Sequence, residues 1–220
     1  MSVNALLDGL LSYVCLLILL TFHEFAHAWV AWKRGDDTAY NLGRVSLNPI
    51  VHMEVIGTVV LPLAVVFLSA ANSGLANFII GWGRPVPVNL NNLRHPRFDD
   101  TLIALAGPAM NFVLAGLIVS LARGFELAGQ PQMVDVAIRM AAISLLLCFF
   151  NLLPIPPLDG SHVLKNFTQM SYETYFRMAQ YGFIIVILAI QVPQVRGLIR
   201  DATFGSLLLF ARLVGLGMGG

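Results

Sequence analysis

Hydrophobic and polar positions fall into long blocks along this chain, without the short periods of a water-facing domain. Residues 10–32 carry Glu24 as their only acid and no Lys or Arg. A helix that spans a bilayer needs about 20 mostly apolar residues, so this block predicts a first transmembrane helix. Residues 101–122 are uncharged between Asp100 and Arg123, and residues 140–158 are uncharged up to Asp159. Both predict further spans. Residues 178–192 are shorter but lengthen backwards through 172–177, and residues 202–220, with Arg212 alone, predict a short span or an interfacial helix. Residues 55–83 carry no charge, yet Pro62 and a turn signal at Asn72 to Gly74 interrupt them. They read as one crossing or as a hairpin that returns to the side it entered from.

The polar linkers, 33–54 and 84–100, are too short for a soluble domain, so residues 1–220 are expected to form one membrane domain. Composition agrees. The chain is 57% hydrophobic and 11% charged, where a soluble domain carries about 25% charged residues. The fold class predicted is an all-α polytopic membrane protein. It would have about five to six transmembrane or re-entrant segments and a short extended, β-like loop. The first ten residues contain no Lys or Arg, and no small-residue cleavage pattern follows; the first block is therefore expected to be a retained span and not a signal peptide. A net charge of +1 implies no nucleic-acid partner. Cys15 and Cys148 lie in apolar runs and read as buried small hydrophobes rather than a disulfide or metal pair.

Ionisable side chains within a span are costly and are retained for function. In "HEFAH", His23 and His27 are four apart and share one helix face, where two imidazoles can bind one cation. Glu24 is about 100° round the helix from His23, beside such a metal rather than on it, and can take a proton from water there. This is the H-E-x-x-H arrangement of zinc peptidases. A catalytic zinc takes a third protein ligand. Asp159 stands out, in "NLLPIPPLDGSHVL", where Pro154, Pro156 and Pro157 prevent a regular helix. Broken backbone in a bilayer is tolerated where it lines a cavity, so this acid can reach inward; a solvated Asp-Gly turn is the plainer alternative. His95 reads as solvent-exposed, and His162 as interfacial rather than a fourth ligand. His52 reads equally as a group that returns to the metal site, behind its ligands or against substrate, and as a surface loop histidine.

"HEFAH", "GPAMN" and "NLLPIPPLDG", in that order, with "NPIVHMEVIGTVVLP" and "GWGRPVPVN" between them, resemble the site-2 protease family of intramembrane zinc metalloproteases, in its compact branch without PDZ or CBS domains. The resemblance runs over about residues 10–163 and implies one zinc ion per chain, held by His23, His27 and Asp159. It implies Glu24 as the catalytic acid/base. Asn151 matches the position that steadies the substrate carbonyl or its oxyanion, and Asn111 belongs to the "GPAMN" motif. Pro85, Val86, Pro87 and Val88 favour extended backbone. The segment is either an ordinary connector or an edge that pairs with substrate held as a strand, and the resemblance favours substrate contact.

The expected activity is hydrolysis of peptide bonds in or near transmembrane helices of membrane-protein substrates. The competing readings are a membrane zinc transporter or sensor and a helix-binding scaffold that does not cut; Glu24 within the motif argues against both. For one zinc to join His27 and Asp159, their spans must run parallel, so residues 55–83 are expected to re-enter and return, or to cross twice. Lys33, Arg34 and Arg44 in the first loop point to a cytoplasmic placement of that loop. The zinc would then lie nearer the cytoplasmic face of what the compact branch suggests is a prokaryotic cell membrane.

Overall fold

The computed structural model describes residues 3–70 and 82–217. All regular elements among the described residues are helical, and none is a strand. Contacts divide the chain into two compact units, Met1–Ile103 and Ala104–Gly220.

In the first unit, helix α1 (Val3–Arg34) is longer than the block that predicts it, because it begins already at Val3 and its last turn continues through Lys33 and Arg34. Cations are favourable there, at the negative end of the helix dipole. Arg34 also joins Asp99 near the start of α4 (Pro96–Leu127), with Nε 2.6 Å from Oδ1. The other Asp99 oxygen accepts the His95 N–H at 2.8 Å. A short helix α2 (Thr38–Asn41) and a 3-10 turn (Pro49–His52) follow α1 and pack on it. Next come a π-helical turn (Val55–Val60), whose Gly57 N–H is accepted by Glu54 at 2.6 Å, and α3 (Leu61–Ala70). Helices α1 and α3 approach closely at Gly9, where a Cβ would come within 2.7 Å of Val66.

The two ends of the ambiguous apolar stretch lie side by side. Trp82 N–H donates to the Gly57 carbonyl at 3.0 Å, the Thr58 hydroxyl to the Trp82 carbonyl at 2.8 Å, and Arg84 N–H to the His52 carbonyl at 2.9 Å. The chain therefore comes back to where it left. The turn signal at Asn72 to Gly74 lies outside the described residues. Residues 82–89 are neither helix nor strand.

The second unit is organised by α4 from Ala104 onward, α5 (Pro131–Asn151) and α9 (Pro193–Val214). They pack through small residues, with Ala115, Ala122, Ala137, Ala141 and Ala211 around Val119, Leu145 and Leu207. Small side chains let helix backbones approach where lipid leaves no hydrophobic drive between helices. Helix α5 starts before the predicted block, taking in Asp135 and Arg139, and ends at Asn151. The prolines that follow account for that stop. After them come α6 (Asp159–Phe167), α7 (Tyr172–Gln180) and α8 (Gly182–Gln191). The segment predicted as one span over 172–192 is thus a pair of helices bent by 62°. Residues 202–214 belong to α9, which begins earlier at Pro193.

Among the described residues, three helices (α1, α4 and α5) are long and apolar enough to cross a membrane, or four if the bent pair counts as one span. Two glycines fit the proline-rich turn to its surroundings. A Cβ on Gly160 would stand 2.2 Å from the Leu152 carbonyl oxygen, and one on Gly182 would stand 2.2 Å from that of Pro156. Both obstacles are backbone and cannot swing aside. We predict that Gly182→Ala destabilises the protein in detergent by about 1–3 kcal/mol. Gly197→Ala, where a Cβ meets nothing within 4 Å, should be neutral or slightly stabilising. Unfolding midpoints of the two variants measure the difference.

Candidate metal centre

His23, Glu24 and His27 are all buried on α1, at 3%, 8% and 7% exposure. The helical spacing brings the two imidazoles together, with Nε2 of His23 and Nε2 of His27 3.0 Å apart. The proton of His27 is placed by its other nitrogen. Nδ1 lies 2.7 Å from the carbonyl oxygen of Ile103, which only accepts, so in the neutral ring Nδ1–H donates and Nε2 keeps its lone pair. That lone pair faces the same nitrogen of His23. Two imidazoles on a tetrahedral zinc, with Zn–N near 2.0–2.1 Å, have nitrogens about 3.3 Å apart. The pair fits the ion with little adjustment, and a carbonyl behind a ligating histidine is the usual orienting partner.

Glu24 faces the returning chain. A Cβ on Gly83 would lie 3.2 Å from Glu24 Oε1 and 3.3 Å from Leu20, so the backbone passes directly against the carboxylate. Arg44, 4% exposed, lies in the same neighbourhood and donates to the Arg84 carbonyl. Burial pulls its pKa below the ordinary arginine value, the Glu24 carboxylate pulls it back up, and the Arg84 charge lowers it.

His52 is 1% exposed, so the surface-loop alternative does not hold. Its Nε2–H donates to the Ser46 carbonyl at 2.7 Å. Burial depresses its pKa, the Ser46 carbonyl works against this, and the Arg44 charge adds to the depression. Asp36 is wholly buried; burial alone would raise its pKa, but hydrogen bonds from Thr38, Asn89 and Asn92 hold it below the usual carboxylate value.

In the second unit, Asp159 opens α6 and is partly buried. Asn151 closes α5, and its Nδ2 donates to the Leu147 carbonyl at 2.9 Å, which uses one of its two amide hydrogens. Asn111 is fully buried in α4, and its main-chain carbonyl accepts the Ser144 hydroxyl at 2.7 Å. His162 is half-buried against the Tyr175 ring, and His95 is exposed in the first unit. Pro85 is exposed, and Val86, Pro87 and Val88 are half-buried. Cys15 and Cys148 are both buried, as the apolar runs imply. Sequence reasoning missed Ile103, Gly83 and the structural parts of Asp36 and Arg44. Arg44 was visible as a charge, but only as one that biases orientation.

A buried H-E-x-x-H pair on a helix able to cross a bilayer defines a class, the membrane-embedded zinc metalloproteases. The chain belongs to one family of that class, peptidase family M50, the site-2 protease family. Residues 118–192 match the model of Peptidase family M50. The chain is similar to YwhC of Bacillus subtilis (strain 168), named as a candidate zinc metalloprotease, with 35% identity over 82% of this chain and 80% of that protein. It is also similar to Rip2 of Mycolicibacterium smegmatis, named in the same way, with 31% identity over 83% of this chain and 70% of that one. Rip2 of Mycobacterium tuberculosis (strain H37Rv) is 29% identical over 82% of this chain and 66% of its own length. No solved structure matches the chain significantly.

His52 supplies a pH test. Its folded pKa is depressed below the ordinary 6.5, so the unfolded chain takes up the proton first as pH falls. Its contribution to stability is present above pH 6.5 and is lost as pH drops from there through the lowered folded value. We predict that the unfolding midpoint falls between pH 7.5 and pH 5.5, and that His52→Gln flattens this dependence.

Proposed function

We propose that the protein is an intramembrane endopeptidase that hydrolyses peptide bonds in or near transmembrane helices, with residues 1–220 acting as one catalytic domain. The observation that carries this reading is the buried imidazole pair with Glu24 beside it on a span-length helix. One zinc ion per chain would be held by His23, His27 and Asp159, a donor set of two imidazole nitrogens and one carboxylate. That is the usual protein complement of a catalytic zinc, which leaves a position open. When bound, zinc acidifies water and polarises a carbonyl.

The chain's own residues supply the rest. Glu24 accepts a proton from the attacking water on a carboxylate oxygen and returns it to the leaving amine. Its burial beside Gly83 limits the directions from which it can act. The second Nδ2 hydrogen of Asn151 donates to the carbonyl oxygen as negative charge develops there. Val86 and Val88 offer main-chain groups to a substrate segment drawn out as a strand, and Pro85 and Pro87 keep that stretch from turning helical. Asn111 has a supporting role in the interior of α4, and His52 one through its main-chain bond to Arg84.

The surroundings are a lipid bilayer, and the partner is a transmembrane protein or peptide. The similar proteins are bacterial, which supports a prokaryotic cell membrane. Trp32 stacks on Tyr40 at 4.9 Å with the Lys33 ammonium over the indole, an aromatic and basic cluster suited to a membrane interface. With Arg34 and Arg44 nearby, it supports a cytoplasmic first loop and a site nearer that face.

Two experiments test these readings. Glu24→Gln should lose at least about 100-fold in cleavage of a membrane-helix substrate while its zinc content stays at the wild-type level. Unchanged cleavage contradicts the assigned role. Reporter fusions after Arg44 should read out on the cytoplasmic side, and an external readout reverses the orientation.

A further inference from the structure

Residues 82–89 form a strap fastened at both ends by buried side chains of opposite charge, both from the linker that follows α1. At the front, Arg44 donates to the Arg84 carbonyl and its Nη2 reaches the Pro85 carbonyl at 3.5 Å. The Arg84 N–H is taken by the His52 carbonyl at 2.9 Å. At the back, Asp36 accepts the Asn89 N–H at 2.7 Å and the Asn92 amide at 3.0 Å. Val88 is packed near Ala31, Leu93 and Ile103. Between the two anchors, the peptide groups of Val86 and Val88 make no hydrogen bond among the described residues.

From this arrangement we propose that Arg44 is a positioning residue for substrate: its guanidinium fixes the backbone of residues 84 and 85, so that the open peptide groups of Val86 and Val88 stand ready to pair with an unwound substrate segment. The inference rests on the endopeptidase reading above. A buried cation is expensive, and Arg44 directs its Nη2 to main-chain carbonyls of a segment that has no regular structure of its own, while its buried Nε has no partner among the described residues. Irregular backbone near the membrane needs such donors. Both contacts come from the single nitrogen Nη2, which the rigid guanidinium aims in a fixed direction, and the rotatable ammonium of a lysine on its shorter stem does not reproduce that aim. Proline at 85 and 87 removes two N–H groups, so the strap cannot recruit its own neighbours in place of Arg44.

The test uses the full chain in detergent or liposomes, with Arg44→Lys and Arg44→Gln, and a transmembrane-helix peptide as substrate. Zinc content, the unfolding midpoint and steady-state kinetics are measured together. A photocrosslink from Val88→Cys to the same peptide reads binding without cleavage. The expected result is a rise in KM of at least about tenfold in both variants, with kcat changed by less than about threefold. Zinc content and midpoint should stay at wild type, and the crosslink should fall in parallel. A KM and crosslink yield equal to wild type overturn the proposal, as does a loss of zinc together with activity, which would make Arg44 a support of the fold. If Arg44→Gln does not fold, Arg44→Lys, which keeps the charge, decides alone. A wild-type protein that cleaves no better than Glu24→Gln fails the endopeptidase reading instead, and the crosslink then still decides whether Arg44 controls access to the strap.

Discussion

His23 and His27 stand one turn apart on α1 with their Nε2 atoms 3.0 Å apart, and the carbonyl of Ile103 keeps the proton of His27 on the opposite nitrogen. Two imidazole nitrogens held this close on a buried helix face suit a divalent cation that both can ligate. Much of the first unit follows from keeping this pair in place. Helix α1 must be unbroken through residue 27. Ile103 must lie beside it, and the Arg34–Asp99 bridge ties the start of α4 to the end of α1. Asp99 is fully buried there, with the His95 N–H on its second oxygen, so this joint is much firmer than an exposed ion pair.

A peptidase inside a bilayer also has to carry irregular backbone without leaving its polar groups unmet. The first unit does this with a return. The chain leaves at Val55, comes back at Trp82, and is sewn to its own starting point by main-chain bonds at Gly57, Thr58 and His52. Gly57 makes this possible, since a Cβ there would stand 2.5 Å from the Trp82 ring. Helix, return and strap then place one backbone segment against Glu24. In the second unit, glycines at 160 and 182 seat the proline-rich turn that leads into Asp159.

The chemistry was legible in the sequence because helical geometry fixes it: residues 23, 24 and 27 can hardly be arranged otherwise on a continuous helix. The return of residues 55–83 was legible only indirectly, through the requirement that His27 and Asp159 lie at one depth. What stayed hidden depends on tertiary contact. Arg44 and Asp36 sit in a polar linker, where charge normally means solvent, and nothing local marks them as buried anchors. The bend at Gly182 breaks a run whose hydropathy alone reads as one span, and α5 extends through Asp135 and Arg139 because charges at a helix end do not stop a helix. His52 was undecided because it sits in a linker between apolar blocks, and its burial depends on the Ser46 carbonyl and the Arg84 backbone brought to it by the fold.

The most direct measurement is zinc stoichiometry with X-ray absorption at the zinc edge, on the purified wild type and on Asp159→Ala. The account predicts one zinc per wild-type chain, with two imidazole nitrogens and oxygen in its first shell. In the Asp159→Ala protein, zinc should be lost or bound far more weakly while the helical content is retained. A fully loaded Asp159→Ala protein with an unchanged first shell would contradict it.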